Sequence, residues 1–265
     1  MLACAALSAC GAPAPPGPPP LDPRIAAPAD LARFAFREGR WETAARLYDE
    51  ALARAEARDD ARALIVLGQE RALTALRAGD PAAALAFAEA AERNARVRDV
   101  AAPPSLSLTA AFALAGLGRW GEAESRAEPA AAAEDPRLAA RARFLLGLAA
   151  ERRGDRARLA ATLAGLPETA DPELVADRAE LAARLARMDR TADAATLFET
   201  AADRRRDTND LRAMARLLAD AGALAEAAGA RNAAADLFWR AGRSALREGD
   251  PAARGWLDRA AALGA

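Results

Sequence analysis

The chain has 265 residues, 52% of them hydrophobic and 5% aromatic, and carries 37 basic against 38 acidic side chains for a net charge of -1. This is the balance of a folded protein, and near-neutrality argues against the strong basic field that nucleic-acid binding uses. Histidine is absent and every basic residue is arginine, so a Ser-His-Asp triad, a His-ligated zinc site and a His-ligated haem are all excluded.

The chain opens on a short apolar segment in which Leu7-Ser8-Ala9-Cys10 sets an aliphatic and two small residues before a cysteine, with Gly11 next. These residues resemble the lipobox of bacterial lipoproteins. The resemblance implies that residues 1–9 are a signal peptide that is removed, that the Cys10 thiol takes a diacylglycerol, and that the new amino terminus is acylated. Gly11, in place of an aspartate, implies routing to the outer membrane, facing the periplasm. At about 0.8 kcal/mol per buried methylene, several acyl chains together make a stable anchor. Cys4 would leave with the signal peptide, so no disulfide framework is expected. The missing basic segment before the apolar stretch points to a true start further upstream.

Residues 10–28 then carry prolines at 13, 15, 16, 18, 19, 20, 23 and 28. Proline fixes φ and removes a donor, so this segment is expected to be an extended tether with a reach of up to roughly 50 Å. No later run is apolar and long enough to span a bilayer.

From residue 29 onward the chain repeats itself. Gly39-x-Trp41-x-x-Ala44-x-x-x-Tyr48-x-x-Ala51 recurs as Gly79, Ala84, Ala88 and Ala91, and as Gly118, Trp120, Ala123, Ala127 and Ala130. Further copies are Gly154, Leu159, Leu163 and Leu166; Asp189, Ala194, Phe198 and Ala201; and Gly229, Ala234, Phe238 and Ala241. The pattern resembles the second half of a tetratricopeptide repeat (TPR), and Leu146-Gly147-x-x-Ala150 is similar to the first half. The resemblance implies an all-α solenoid of about six helical hairpins over residues 29–265. The apolar spacing predicts helices over 30–38, 41–57, 60–78, 82–98, 105–117, 120–133, 137–153, 155–165, 172–187, 191–206, 209–228, 231–247 and 251–263. The final one is a capping helix, which an open solenoid needs. Asp80-Pro81, Asp135-Pro136, Asp171-Pro172 and Asp250-Pro251 each set an acidic N-cap before a proline at the first helical position. Pro129 should end or kink its helix.

In the TPR family the first helix of each pair lines a concave groove for a peptide or protein partner. Carried onto this chain, the register places Arg141, Ala176, Ala179, Ala183 and Arg216 there, an alanine floor with arginine edges. The family's Lys and Asn clamp for a peptide carboxylate is not matched. Arg204-Arg205-Arg206 and Glu151-Arg152-Arg153 fall at helix ends, where cations complement the helix dipole. Trp41 and Trp120 are expected in the core, whereas Trp239 and Trp256 are either core or exposed anchors. Neither phosphate-binding glycine motif occurs, and pairs such as Asp59-Asp60 lie in loops without a pocket to raise a pKa.

The reading is therefore a non-catalytic, lipid-anchored scaffold or adaptor for protein-protein interactions at the bacterial cell envelope, using no cofactor or metal and no nucleic acid. Two alternatives remain: a helical module associated with a peptidoglycan-processing enzyme, and a cytoplasmic TPR interaction protein with a chance lipobox.

Overall fold

The computed structural model describes residues 21–264, so the Leu7-Ser8-Ala9-Cys10 motif and most of the proline-rich segment lie outside the described residues. Thirteen helices follow in a row. They are α1 (Pro23–Arg37), α2 (Trp41–Glu56), α3 (Ala61–Ala78), α4 (Pro81–Val97), α5 (Pro104–Gly116), α6 (Trp120–Ala131) and α7 (Pro136–Arg152). The row continues with α8 (Arg156–Ala164), α9 (Pro172–Asp189), α10 (Ala194–Asp207), α11 (Leu211–Ala227), α12 (Arg231–Arg247) and α13 (Ala253–Gly264). No strand occurs among the described residues.

The expectation of an extended tether up to Pro28 is corrected, because residues 23–28 already form the first turns of α1. Asp22 accepts from the Arg24 amide at 2.7 Å, and Pro23 takes the first helical position, where no N–H is needed. Ile25, Pro28, Ala29, Ala32 and Ala35 then bury one stripe of the helix, so apolar packing carries α1 through Pro28. Pro129 behaves as expected, since α6 ends two residues beyond it.

Repeat positions that call for a small residue are where the helices touch. Ala44, Ala84, Ala123 and Ala234 are each fully buried, and Leu159 and Ala194 are buried at the equivalent places. Asp80, Asp135 and Asp171 cap their helices through side-chain oxygens, and capping of this kind stabilises by about 1 kcal/mol. The fifth repeat departs from the expected register. Its left-handed turn residue is Arg190, with φ 54°, and not Asp189, so the buried Ala194 follows it by four positions where Ala44 follows Gly39 by five.

Each hairpin packs against the next, and successive first helices also touch: α1 with α3, α3 with α5, α5 with α7, and α7 with α9. No comparable contact joins successive second helices, so the row curves with its first helices on the inner side. The nine-residue α8 is too short to separate α7 from α9, and these two pack directly. At the far end α13 buries Ala260 and Leu263 against the core around Phe238, which is the expected cap.

Candidate binding groove

Inner-side residues of α7, α9 and α11, with the C-terminal helices, line an open cavity of about 720 Å³. Its polar wall is Glu151, Arg152, Arg184, Arg187, Arg216 and Asp220. Trp256 and Phe238 supply the apolar wall, with Ala219 and Ala223 between them. Four guanidinium groups thus meet two carboxylates.

Those cations are of two kinds. Arg184 donates to Glu151 at 2.9 Å and to Glu180 at 2.7 Å, while Arg187 donates to Glu151 and, at 2.9 Å, to Asp220. Both are therefore neutralised inside the wall. Arg152 is different: its guanidinium lies 5.3 Å from the Trp120 ring, and no carboxylate pairs with it among the described residues. The Arg216 side chain is 61% exposed and shares its partner, Asp250, with Arg212. Arg152 and Arg216 are the two cations with capacity left for an incoming anion.

Behind the cavity the ion pairs continue along α9. Arg205, buried on α10, donates to Glu180 at 2.7 Å and to Asp177 at 2.9 Å. Asp177 also accepts from Arg141 at 2.7 Å through both oxygens. Arg141 reaches Glu173 at 3.7 Å, and Glu173 accepts from Arg77 of α3 at 2.8 Å. An unbroken file of alternating charges therefore runs from Asp220 to Arg77.

Burial and charge act against each other on these groups. Burial alone would raise the Glu180 carboxyl, but Arg205 and Arg184 outweigh it and hold the group down to about 2. For Asp177 burial wins over Arg141 and Arg205, and its pKa is raised. Asp220 is raised by burial in the same way, against Arg187 and Arg184. Arg205 stays charged, because Glu180 and Asp177 outweigh the burial that would lower it. Removing one member of such a network leaves an uncompensated buried charge.

Of the five residues the register placed on the groove, only Arg216 lines the cavity. Ala176 and Ala183 are fully buried, a correction to their assignment as a groove floor; they are where α9 meets its neighbours. Ala179 is half-buried against the C-terminal core. Arg141 is spent on Asp177, with its guanidinium 5.1 Å from the Phe112 ring. Arg205 corrects the reading of the arginine triplet, being buried in the ionic file while Arg204 and Arg206 remain exposed at the end of α10. Asp59 and Asp60 are spent structurally, on Arg98 and on capping α3.

Trp41 and Trp120 are only half-buried, short of the core placement expected. Trp41 meets Phe36 edge-on at 5.1 Å. The open choice at the C-terminus divides: Trp256 is half-buried in the cavity wall, and Trp239 is exposed under Arg243. Sequence reasoning missed Asp177, Glu180, Arg184 and Arg187. The available signal was acidic residues on the stripe of α9 that also holds Leu174 and Leu181, where an amphipathic helix has apolar ones.

No protein-family model matches the chain, and no curated protein is similar to it in sequence. Among solved structures, the crystal structure of Rap protein complexed with competence and sporulation factor matches with a TM-score of 0.60. The match covers 91% of this chain and 75% of that one at 13% sequence identity. This chain is a TPR-like α-solenoid. At that identity the likeness speaks for the fold, while the groove's chemistry rests on the residues above.

Proposed function

We propose that this TPR-like solenoid is a non-catalytic scaffold that binds an extended acidic segment of a partner protein along its inner side, and that Cys10 anchors it by lipid at the bacterial outer membrane. The observation that carries the binding half is the cavity in which Arg152 and Arg216 retain capacity for an anion beside the apolar wall of Trp256 and Phe238. A groove of this kind suits a segment that offers a carboxylate and an apolar side chain together. The carboxylates nearest the cavity, Glu151, Glu180 and Asp220, are each engaged by arginine, so the site is built for holding rather than for proton transfer. That a similar fold was solved in complex with a factor supports the same reading.

The anchoring half is supported by the Leu7-Ser8-Ala9-Cys10 motif and the proline-rich stretch after it. Metabolic labelling with a palmitate analogue tests it. Incorporation that disappears in Cys10→Ser, with release of the protein from membranes, is the expected result. Equal labelling of the variant, or none in either protein, would overturn it. For the groove, titration with a fluorescein-labelled decapeptide of glutamate and phenylalanine should give saturable binding that an arginine-phenylalanine peptide does not reproduce.

A further inference from the structure

The row of hairpins curves until its beginning meets its end. Arg77, at the C-terminal end of α3, donates to Glu173 of α9 at 2.8 Å and lies 2.9 Å from Asp210, which caps α11. Glu173 is 96 residues away along the chain, so this contact joins the second hairpin to the fifth. Two turns fit against the same helix ends. Gly79 has φ +82°, and a Cβ there would stand 2.5 Å from the Arg212 guanidinium carbon. Gly39 has φ +70°, and its Cβ would stand 2.7 Å from the Asn209 side-chain nitrogen. The left-handed turn is what calls for glycine at both positions, and the approaching atoms are the ends of flexible side chains from the distant helix and its turn.

The character of this junction differs from the rest of the fold. Neighbouring hairpins bury apolar stripes against each other, whereas α1 and α3 meet α9 and α11 through polar side chains and turns. Arg77, Glu173 and Asp210 keep 22%, 22% and 24% of their side-chain surface in solvent. Salt screens such partly buried pairs less than surface ones, but Arg77 Nη1 is buried and makes no hydrogen bond, so the junction is held by charge attraction and not by apolar area. A junction of this kind can part without unfolding any hairpin.

We propose that Arg77 is a reversible latch which closes the solenoid into a coil by bridging Glu173 and Asp210, and that parting the bridge admits a protein segment to the inner side. The second step rests on the groove reading above; the latch itself does not. Glu173 and the cavity residue Arg184 are eleven positions apart on α9, about 16 Å along its axis, so the latch stands at one end of the helix and the cavity at the other.

The test is small-angle X-ray scattering on the full-length protein, with helicity checked by circular dichroism. Arg77→Glu sets a third carboxylate against Glu173 and Asp210, and its radius of gyration and maximum dimension should rise at low salt with helicity unchanged. Arg77→Lys keeps the charge and should scatter like the parent. Raising sodium chloride should open the parent and leave Arg77→Glu as it is. Identical curves for the parent and Arg77→Glu would overturn the latch. Association of the glutamate-phenylalanine decapeptide, followed by stopped flow, should be roughly fivefold faster in Arg77→Glu. Opening without faster association would overturn the admission step. Failure of both proteins to bind the peptide would overturn the groove reading while the scattering still decides the latch.

Discussion

Arg54 donates from Nη1 to the main-chain carbonyl of Arg24 at 2.6 Å, the acceptor that Pro28 leaves without its partner inside α1. An interior proline ordinarily breaks a helix because one hydrogen bond is lost and the ring crowds the preceding turn. Here a guanidinium from α2 replaces the bond, and the ring is buried in the core of the first hairpin. Arg54→Met should therefore cost about 1 kcal/mol and lower the melting temperature by a few degrees. In a Pro28→Ala background, where the helix regains its own N–H, the same substitution should cost clearly less. Equal losses in the two backgrounds, read by thermal denaturation, would show that the Arg54 bond does not compensate the proline.

Arg204, Arg205 and Arg206 are adjacent in sequence and unlike in consequence. Arg205 is 3% exposed and is the cation shared by Asp177 and Glu180. Arg205→Ala should cost about 3–5 kcal/mol, because two buried carboxylates each lose one of their two arginine partners. Arg204→Ala should fall within about 0.5 kcal/mol of the parent. Urea titration of the two variants checks the contrast, and similar midpoints would contradict the buried network.

Acid should expose the same network. The Glu180 pKa is held at about 2, below the 4.5 of a free glutamate, so its contribution is fully present above pH 4.5 and is lost as pH falls towards 2. That shift corresponds to a contribution on the order of 3 kcal/mol. Asp177 and Asp220 act in the opposite sense. Their raised values mean that they favour folding most when protonated and lose that contribution as pH rises through their folded values. The melting temperature of the parent should exceed that of Glu180→Gln at pH 6, and the gap should close between pH 4.5 and 2. A gap that stays constant over that interval would contradict the assignment.

The groove reading predicts a division among the arginines. Arg152→Ala with Arg216→Ala should weaken binding of the glutamate-phenylalanine decapeptide at least about tenfold, since each removes a charge-assisted bond. Arg204→Ala with Arg206→Ala, which removes as much charge from the end of α10, should leave it unchanged. Equal weakening by both pairs in fluorescence anisotropy would mean that the peptide responds to net charge and not to the cavity.

Much of the fold was legible in the sequence because it is local. The turn glycines Gly39, Gly79, Gly118, Gly154 and Gly229 all take left-handed φ, and the alanines five residues after Gly39, Gly79, Gly118 and Gly229 are buried. The misreadings arose where a distant side chain intervened. The prolines of α1 were taken to exclude a helix, although Arg54 and the buried stripe of the first hairpin sustain one. Arg190 took a turn position that the repeat pattern assigned to Asp189.

By itself the sequence determined the thirteen helices and their pairing, because helix periodicity, capping and turn chemistry act over a few neighbouring residues. Only the tertiary structure decided which arginines are spent and which are spare. Arg141, Arg184, Arg187 and Arg205 look no different from Arg152 and Arg216 along the chain. Apart from Glu180, four residues before Arg184 on α9, their partners stand one hairpin away or on a facing helix, and curvature accumulated from the second hairpin to the fifth brings Arg77 to Glu173. Charge pairing across a solenoid depends on that accumulated geometry, to which no local stretch of residues gives access.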